Sequence, residues 1–167
     1  MSQQVSVPVN VVSPQAQLIE MARGHQVSSM LRVAAQLKLA DHLSEGPRTA
    51  EELAQPTGTH APSLYRFMRT AASLGLFTED EEHRFSLAPL AEPLRSGVPG
   101  SVRTTILSLT GDLFLRPLSN LLYSVQTGRT AFEKEHGVPM FDWLASHPEE
   151  GAMFSDLMIG FHVRRDS

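Results

Sequence analysis

Cysteine is absent from this chain of 167 residues, which excludes structural disulfides and thiolate metal sites and makes a reducing cytoplasm the simplest location. Also absent is any apolar run near the 18 residues that a membrane-spanning helix needs. Residues 1–13 carry no charged side chain and lack the basic-then-apolar plan of a signal peptide, so they read as a loose polar arm. There is no basic excess. The formal charge is -4 and the pI is near 5.9, which argues against general affinity for nucleic acid. The eleven glycines never form a Gly-x-Gly-x-Gly run, so no dinucleotide or phosphate loop is present. The seven histidines never form a His-x-x-x-His pair, and no nucleophile elbow occurs. No catalytic, cofactor-binding or metal-binding residue is therefore expected within the chain.

A hydrophobic content of 41% with 19% charge is enough to build one or two small cores. Helical periodicity begins at Pro14, with Leu18, Ile19, Met21 and Ala22 apolar, and Gly24 marks a kink or break. From Val27 through Met30, Leu31, Ala34, Ala35 and Leu39 to Leu43 runs a broad apolar face. That face is either ordinary core or, in part, a surface for a second copy of the chain.

Turn residues then punctuate the sequence. Residues 44–47 form a turn, and Thr49 with Glu52 has the spacing of a capping box that opens a short helix through Ala54. Residues 56–59 form a second turn. A helix starts near Pro62, places Leu64, Phe67, Met68, Ala71 and Leu74 on one face, and stops at Gly75. Residues 76–78 and 84–87 read as strands joined by the acidic turn 79–83. Three helices followed by a hairpin is the order of a winged helix.

Such a fold raises the possibility of a transcription regulator, but its charge is wrong for one. The second helix offers only His60, Arg66 and Arg69 to a base edge, and four consecutive acids occupy the wing. Affinity for duplex comes largely from neutralised phosphates, so an acidic wing disfavours DNA.

Beyond the wing, the pattern is helical again. Ser101 can cap a helix over 102–109, a longer helix spans 111–127, and Gly128 stops it. Residues 132–139 read as a loop, with Glu133, Glu135 and His136 as its polar residues, and 140–145 as a short helix around Trp143. Pro148, Glu149 and Glu150 open a final helix whose apolar stripe is Met153, Phe154, Leu157, Met158 and Phe161. A stripe of that size points to an interface. Arg164 and Arg165 form its solvated terminus.

The blocks Leu37-Lys38-Leu39-Ala40-Asp41-His42-Leu43, Gly46-Pro47-Arg48-Thr49-Ala50-Glu51-Glu52-Leu53-Ala54, Leu64-Tyr65-Arg66-Phe67-Met68-Arg69 and Gly75-Leu76-Phe77 occur in an informative order. So do Gly137-Val138-Pro139-Met140-Phe141-Asp142 and His147-Pro148-Glu149 leading to Phe154 and Met158. Together they resemble the N-terminal domain of the S-adenosylmethionine-dependent O-methyltransferases, of the plant caffeic-acid type and more closely of the bacterial polyketide-tailoring type. The resemblance covers roughly residues 25–160.

That resemblance implies a mostly α fold. A winged-helix-like dimerisation domain over 14–98 carries a small β-hairpin, a helical extension follows over 99–167, and two copies intertwine in a homodimer. It implies that S-adenosylmethionine belongs to a following Rossmann-type domain that this sequence does not contain, and that these residues cover the cleft for a small aromatic substrate. The acceptor would be a polyketide-like hydroxyl. By the same resemblance Phe154 and Met158 lie along the substrate, with Trp143 and Phe161 as further wall residues. Met21 or Met30 is a candidate to reach the partner's cleft. The alternatives are a non-catalytic small-molecule-binding dimer and the winged-helix regulator.

Overall fold

A computed structural model describes residues 13–163, with side chains through Met158. The expectations for residues 1–12, for the Phe161 side chain and for Arg164 and Arg165 lie outside the described residues.

The chain is mostly helical, with one small hairpin. Helix α1 (Pro14–Ala22) is capped by the Ser13 hydroxyl, which accepts the Ala16 N–H at 3.2 Å. It breaks at Arg23, and Gly24 begins α2 (Gly24–Gln36). The expected continuous face through Leu43 is interrupted. Lys38 adopts a left-handed conformation (φ 51°), and α3 (Leu39–Leu43) starts in a new direction.

The capping box at Thr49 is present in both directions and opens α4 (Ala50–Thr57). That helix includes Pro56 and Thr57, which the sequence had assigned to a turn. Gly58 (φ 63°) ends it in the left-handed form that glycine tolerates. Helix α5 (Ala61–Ser73) follows, then β1 (Phe77–Glu79) and β2 (Phe85–Leu87) pair antiparallel, with Phe77 opposite Leu87. Arg48 adds a third segment to this sheet, donating its N–H to the Phe85 carbonyl at 3.0 Å and accepting the Phe85 N–H at 2.8 Å.

The core lies where these elements meet. Leu39 of α3, Leu53 of α4, Met68 of α5, Phe77 of β1 and Phe85 of β2 are its largest fully buried side chains. Each contributes on the order of 1.5–3 kcal/mol by leaving water. A 3-10 segment (Pro89–Leu94) buries Ala91 and Leu94 against the same core.

The second half differs from its sequence reading in two places. The single helix expected over 111–127 is two, α7 (Asp112–Ser119) and α8 (Leu121–Thr127), after α6 (Arg103–Leu109). Pro117 lacks the N–H that would bond to the Leu113 carbonyl, and the weakened helix ends at Asn120, whose side-chain amide donates to Glu135 at 3.2 Å. The expected loop after residue 132 is mostly α9 (Ala131–His136), capped by Thr130. Helices α10 (Met140–Ser146) and α11 (Pro148–Val163) follow. Among the described residues no helix is long and apolar enough to cross a membrane.

The wing spends its charge on itself. Glu79 accepts the Tyr65 hydroxyl at 2.8 Å, contacts His83 Nδ1 at 3.0 Å and pairs with Arg69 at 3.4 Å. Asp80 accepts the backbone N–H groups of Glu82 and Arg84 and pairs with the Arg84 guanidinium at 3.1 Å. Two of the basic groups that a DNA reader would aim at phosphate are thus already matched by acids.

Asp41 ties α3 to the chain beyond the 3-10 segment. Its two oxygens accept the Ser96 N–H and hydroxyl, each at 2.7 Å. Burial pushes the carboxyl upward, but the two Ser96 bonds and the nearby charges of Arg103 and Lys38 outweigh it and hold the group below its ordinary range. A depressed folded value gives stability that is present above the unfolded pKa and lost as pH falls through the folded one. Asp41→Asn is expected to cost about 1–2 kcal/mol at pH 7. In urea titrations at stepped pH the gap from wild type should hold down to about pH 5 and close below about pH 4.

Candidate functional site

Helices α6, α7, α9, α10 and α11, with Arg32 near the end of α2, line a pocket of about 300 Å³. Arg32 of α2, Leu107 and Ser108 of α6, and Gly111 with Phe114 at the start of α7 form one side. His136 of α9, Trp143 of α10, and Glu150, Met153 and Phe154 of α11 form the other. Two glycines let these elements close up. A Cβ at Gly111 would come to 3.2 Å from the Leu107 and Ser108 carbonyls, and one at Gly151 to 3.2 Å from the Leu144 carbonyl. Larger residues there would push α7 off α6 and α11 off α10.

The walls are rings. Phe154 stacks on Phe114 at 6.4 Å between centroids and meets Phe141 edge-on at 6.2 Å. Trp143 lies edge-on to Phe132 at 6.1 Å, near His136 at 5.1 Å, and flat against His147 at 3.7 Å. His147 is itself held by the Trp143 carbonyl at 2.8 Å. The indole is therefore fixed in orientation from two sides.

The polar groups of the pocket are unequally satisfied. Arg116 pairs with Asp112 at 3.3 Å and reaches Glu135 at 4.0 Å. Arg32 donates through Nη1 to the Leu107 carbonyl at 2.9 Å and has no carboxylate partner among the described residues. His136 Nε2 is buried and has no hydrogen-bond partner among them. No group of three or more His, Asp or Glu among the described residues is placed to hold a metal ion.

The structure brings two of the residues singled out from sequence, Trp143 and Phe154, into this pocket. Met158 does not line it; its side chain is 41% exposed further along α11. Leu157, between them, is buried. Met30 is half-buried and packs against the core, whereas Met21 is exposed on α1. Sequence reasoning overlooked Arg32, Phe114 and His136 as pocket residues. A signal existed for α9, because Thr130 with Glu133 has cap spacing; Arg32 had none, since its role depends on α6 arriving from 75 residues away.

Comparison with known proteins defines the class. Residues 19–96 match the O-methyltransferase dimerisation domain, and this segment belongs to that family. It is 44% identical over 144 residues to the phenazine O-methyltransferase PhzM of Lysobacter antibioticus, a match covering 86% of this chain and 42% of that protein. The crystal structure of LaPhzM superposes with a TM-score of 0.82 at 43% identity, over 90% of this chain and 45% of the other. An O-methyltransferase from neocarzinostatin biosynthesis, solved with S-adenosylmethionine and 2-hydroxy-5-methyl naphthoic acid, gives a TM-score of 0.68 at 35% identity. That match covers 79% of this chain and 41% of the other. The chain spans less than half the length of these relatives. None of them supports the regulator alternative.

The ring wall and the helix packing beneath it should separate in mutants. Phe154→Ala, at a half-buried ring, is expected to cost about 1–3 kcal/mol. Leu157→Ala, on the buried face, should cost about 2–5 kcal/mol. Urea midpoints measure both, and the order Leu157 above Phe154 is the test.

Proposed function

We propose that this chain forms the dimer and covers the substrate in a methyltransferase that moves a methyl group from S-adenosylmethionine to a hydroxyl on a flat aromatic acceptor. The observation that carries the reading is the ring-lined pocket over α6 to α11, beside a segment that belongs to the O-methyltransferase dimerisation domain. Phenazine and naphthoic acid, named for the relatives, are both flat fused-ring compounds. Trp143 and Phe154 supply apolar walls for such an acceptor, and closure of the pocket excludes water from its hydroxyl. On the family resemblance alone, Met158 and Phe161 are kept in this reading as further wall residues.

The cofactor fits elsewhere. Among the described residues the one sheet is a two-stranded antiparallel hairpin, and no Gly-rich turn joins a strand to a helix N-terminus. These residues do not build a cradle for S-adenosylmethionine, and no step of the transfer is assigned to them.

The dimer reading rests on exposed apolar surface. Helix α1 buries none of its residues and leaves Leu18 and Ile19 59–67% exposed. An apolar groove of about 380 Å³ opens nearby, lined by Val27, Leu31, Leu74, Leu90 and Ile106. A second copy covers both surfaces at once. The division into a unit over 14–98 and a helical extension over 99–167 is part of the same proposal. The cytoplasm suits the whole.

Light scattering on the purified chain should give twice 18.4 kDa, and Leu18→Asp combined with Ile19→Asp should give the single mass; a monomeric wild type at tens of micromolar would sink the dimer. The full reading frame encoding these residues, incubated with radiolabelled S-adenosylmethionine and a hydroxynaphthalene, should transfer label to the aromatic. Label that stays on the cofactor across a panel of phenols would remove the methyltransferase reading.

A further inference from the structure

We infer that the aromatic ligand of the α6–α11 pocket carries a carboxylate, received by Arg32, with His136 supplying a second hydrogen bond. This rests on the reading of the pocket as an aromatic site and adds a charge requirement to it.

The argument starts from what each charged group in the pocket already does. Asp112 and Glu135 are taken by Arg116. Glu150 lies in the first turn of α11, where the positive end of the helix dipole favours an acid. Arg32 is left over. It is half-buried, and its one bond is to the Leu107 carbonyl, made by a single nitrogen. A guanidinium has five N–H donors in a planar fork whose geometry matches the two oxygens of a carboxylate. Its charge meets only the partial negative charge at the carbonyl end of α6, and a ligand carboxylate supplies a full one.

A second group on the same lining points the same way. His136 Nε2 is buried without a hydrogen-bond partner among the described residues, and its ring is pinned between Phe132 at 4.3 Å and Trp143 at 5.1 Å. The ring cannot turn outward without breaking those contacts. An oxygen on the ligand satisfies it, as a carboxylate accepting its N–H or a hydroxyl donating to its lone pair. Between these polar points the walls are Trp143, Phe154 and Phe114. About 300 Å³ accommodates two fused rings with one small substituent. A guanidinium without a carboxylate partner suits the planar pair of oxygens that a carboxylate presents.

The test compares 1-hydroxy-2-naphthoate with 1-naphthol, the same rings without the carboxylate. Affinities come from titration calorimetry on the purified chain, and the site is identified by the indole N–H resonance of Trp143, the one tryptophan in the sequence. Both probes should shift that resonance, and the naphthoate should bind at least about tenfold tighter. Arg32→Gln removes the guanidinium and should erase the difference between the two probes. Arg32→Lys should restore part of it. Equal affinities in the wild type, with Trp143 shifted by both, overturn the carboxylate and leave the aromatic site standing. No shift at Trp143 from either probe overturns both. Should Arg32→Gln fail to fold, the wild-type ratio and its decline with added salt decide the matter alone.

Discussion

The two halves of this chain are joined by a reciprocal pair of arginines. Arg32 of α2 donates to the Leu107 carbonyl near the end of α6, and Arg103 of α6 donates to the Ala35 carbonyl near the end of α2. Pairing 32 with 107 and 35 with 103 requires the helices to run in opposite directions. The last carbonyls of a helix lack partners within it, and that end of the dipole attracts cations. Each helix therefore ends against a guanidinium supplied by the other. Hydrogen bonds from charged donors are worth about 1.5–3 kcal/mol when sheltered from water. Both arginines here are half-buried, which fixes α6 against the winged-helix core at two points.

Everything after α6 depends on that joint, because the second half has little core of its own. The large side chains that are fully buried, from Leu39 to Phe85, all belong to the first half. After α6 the buried apolar side chains among the described residues are Phe132, Leu144 and Leu157. Ring contacts do much of the remaining work, linking α7 to α11 through Phe114 and Phe154 and α9 to α10 through Phe132 and Trp143. Large apolar residues of α7 and α8, such as Leu118 and Leu122, stay exposed. A layer built this way is a lid more than a domain: its shape is set by what it rests on. The pocket forms at the seam, with Arg32 as the one pocket residue contributed by the first half.

Local chemistry made the first half legible from sequence. The Thr49 capping box, the glycine stops and the hairpin are decided within a few residues, and the structure shows each with only small shifts in boundary. Two of the differences in the helices turn on proline, while α9 was hidden by its polar residues. Pro56, read as part of a turn, lies in the last turn of α4 and forfeits the N–H bond to the Glu52 carbonyl one residue before the helix ends; Pro117, read as interior to one helix, precedes a break. Lys38 carried no sign of its left-handed turn, since only the packing of Leu39 into the core demands it. Periodicity identified Trp143 and Phe154 as apolar and resemblance gave them a purpose. Neither could reveal that Arg32, on a helix of the core, looks into the same pocket.

The wing shows why the fold alone would have misled. Its shape is that of a DNA reader, but function follows from where unmatched groups remain. At the wing, Glu79 gathers Tyr65, His83 and Arg69, and Asp80 holds Arg84, so phosphate would have to displace bonds already made. In the pocket the situation is reversed: a guanidinium and an imidazole nitrogen are enclosed by rings with polar capacity unspent. Apolar surface follows the same division, exposed on α1 where a second copy can cover it and concave between α6 and α11 where a flat molecule can. Binding energy is available only where the fold has left interactions unmade, and among the described residues those places lie along α1 and in the pocket, not at the wing.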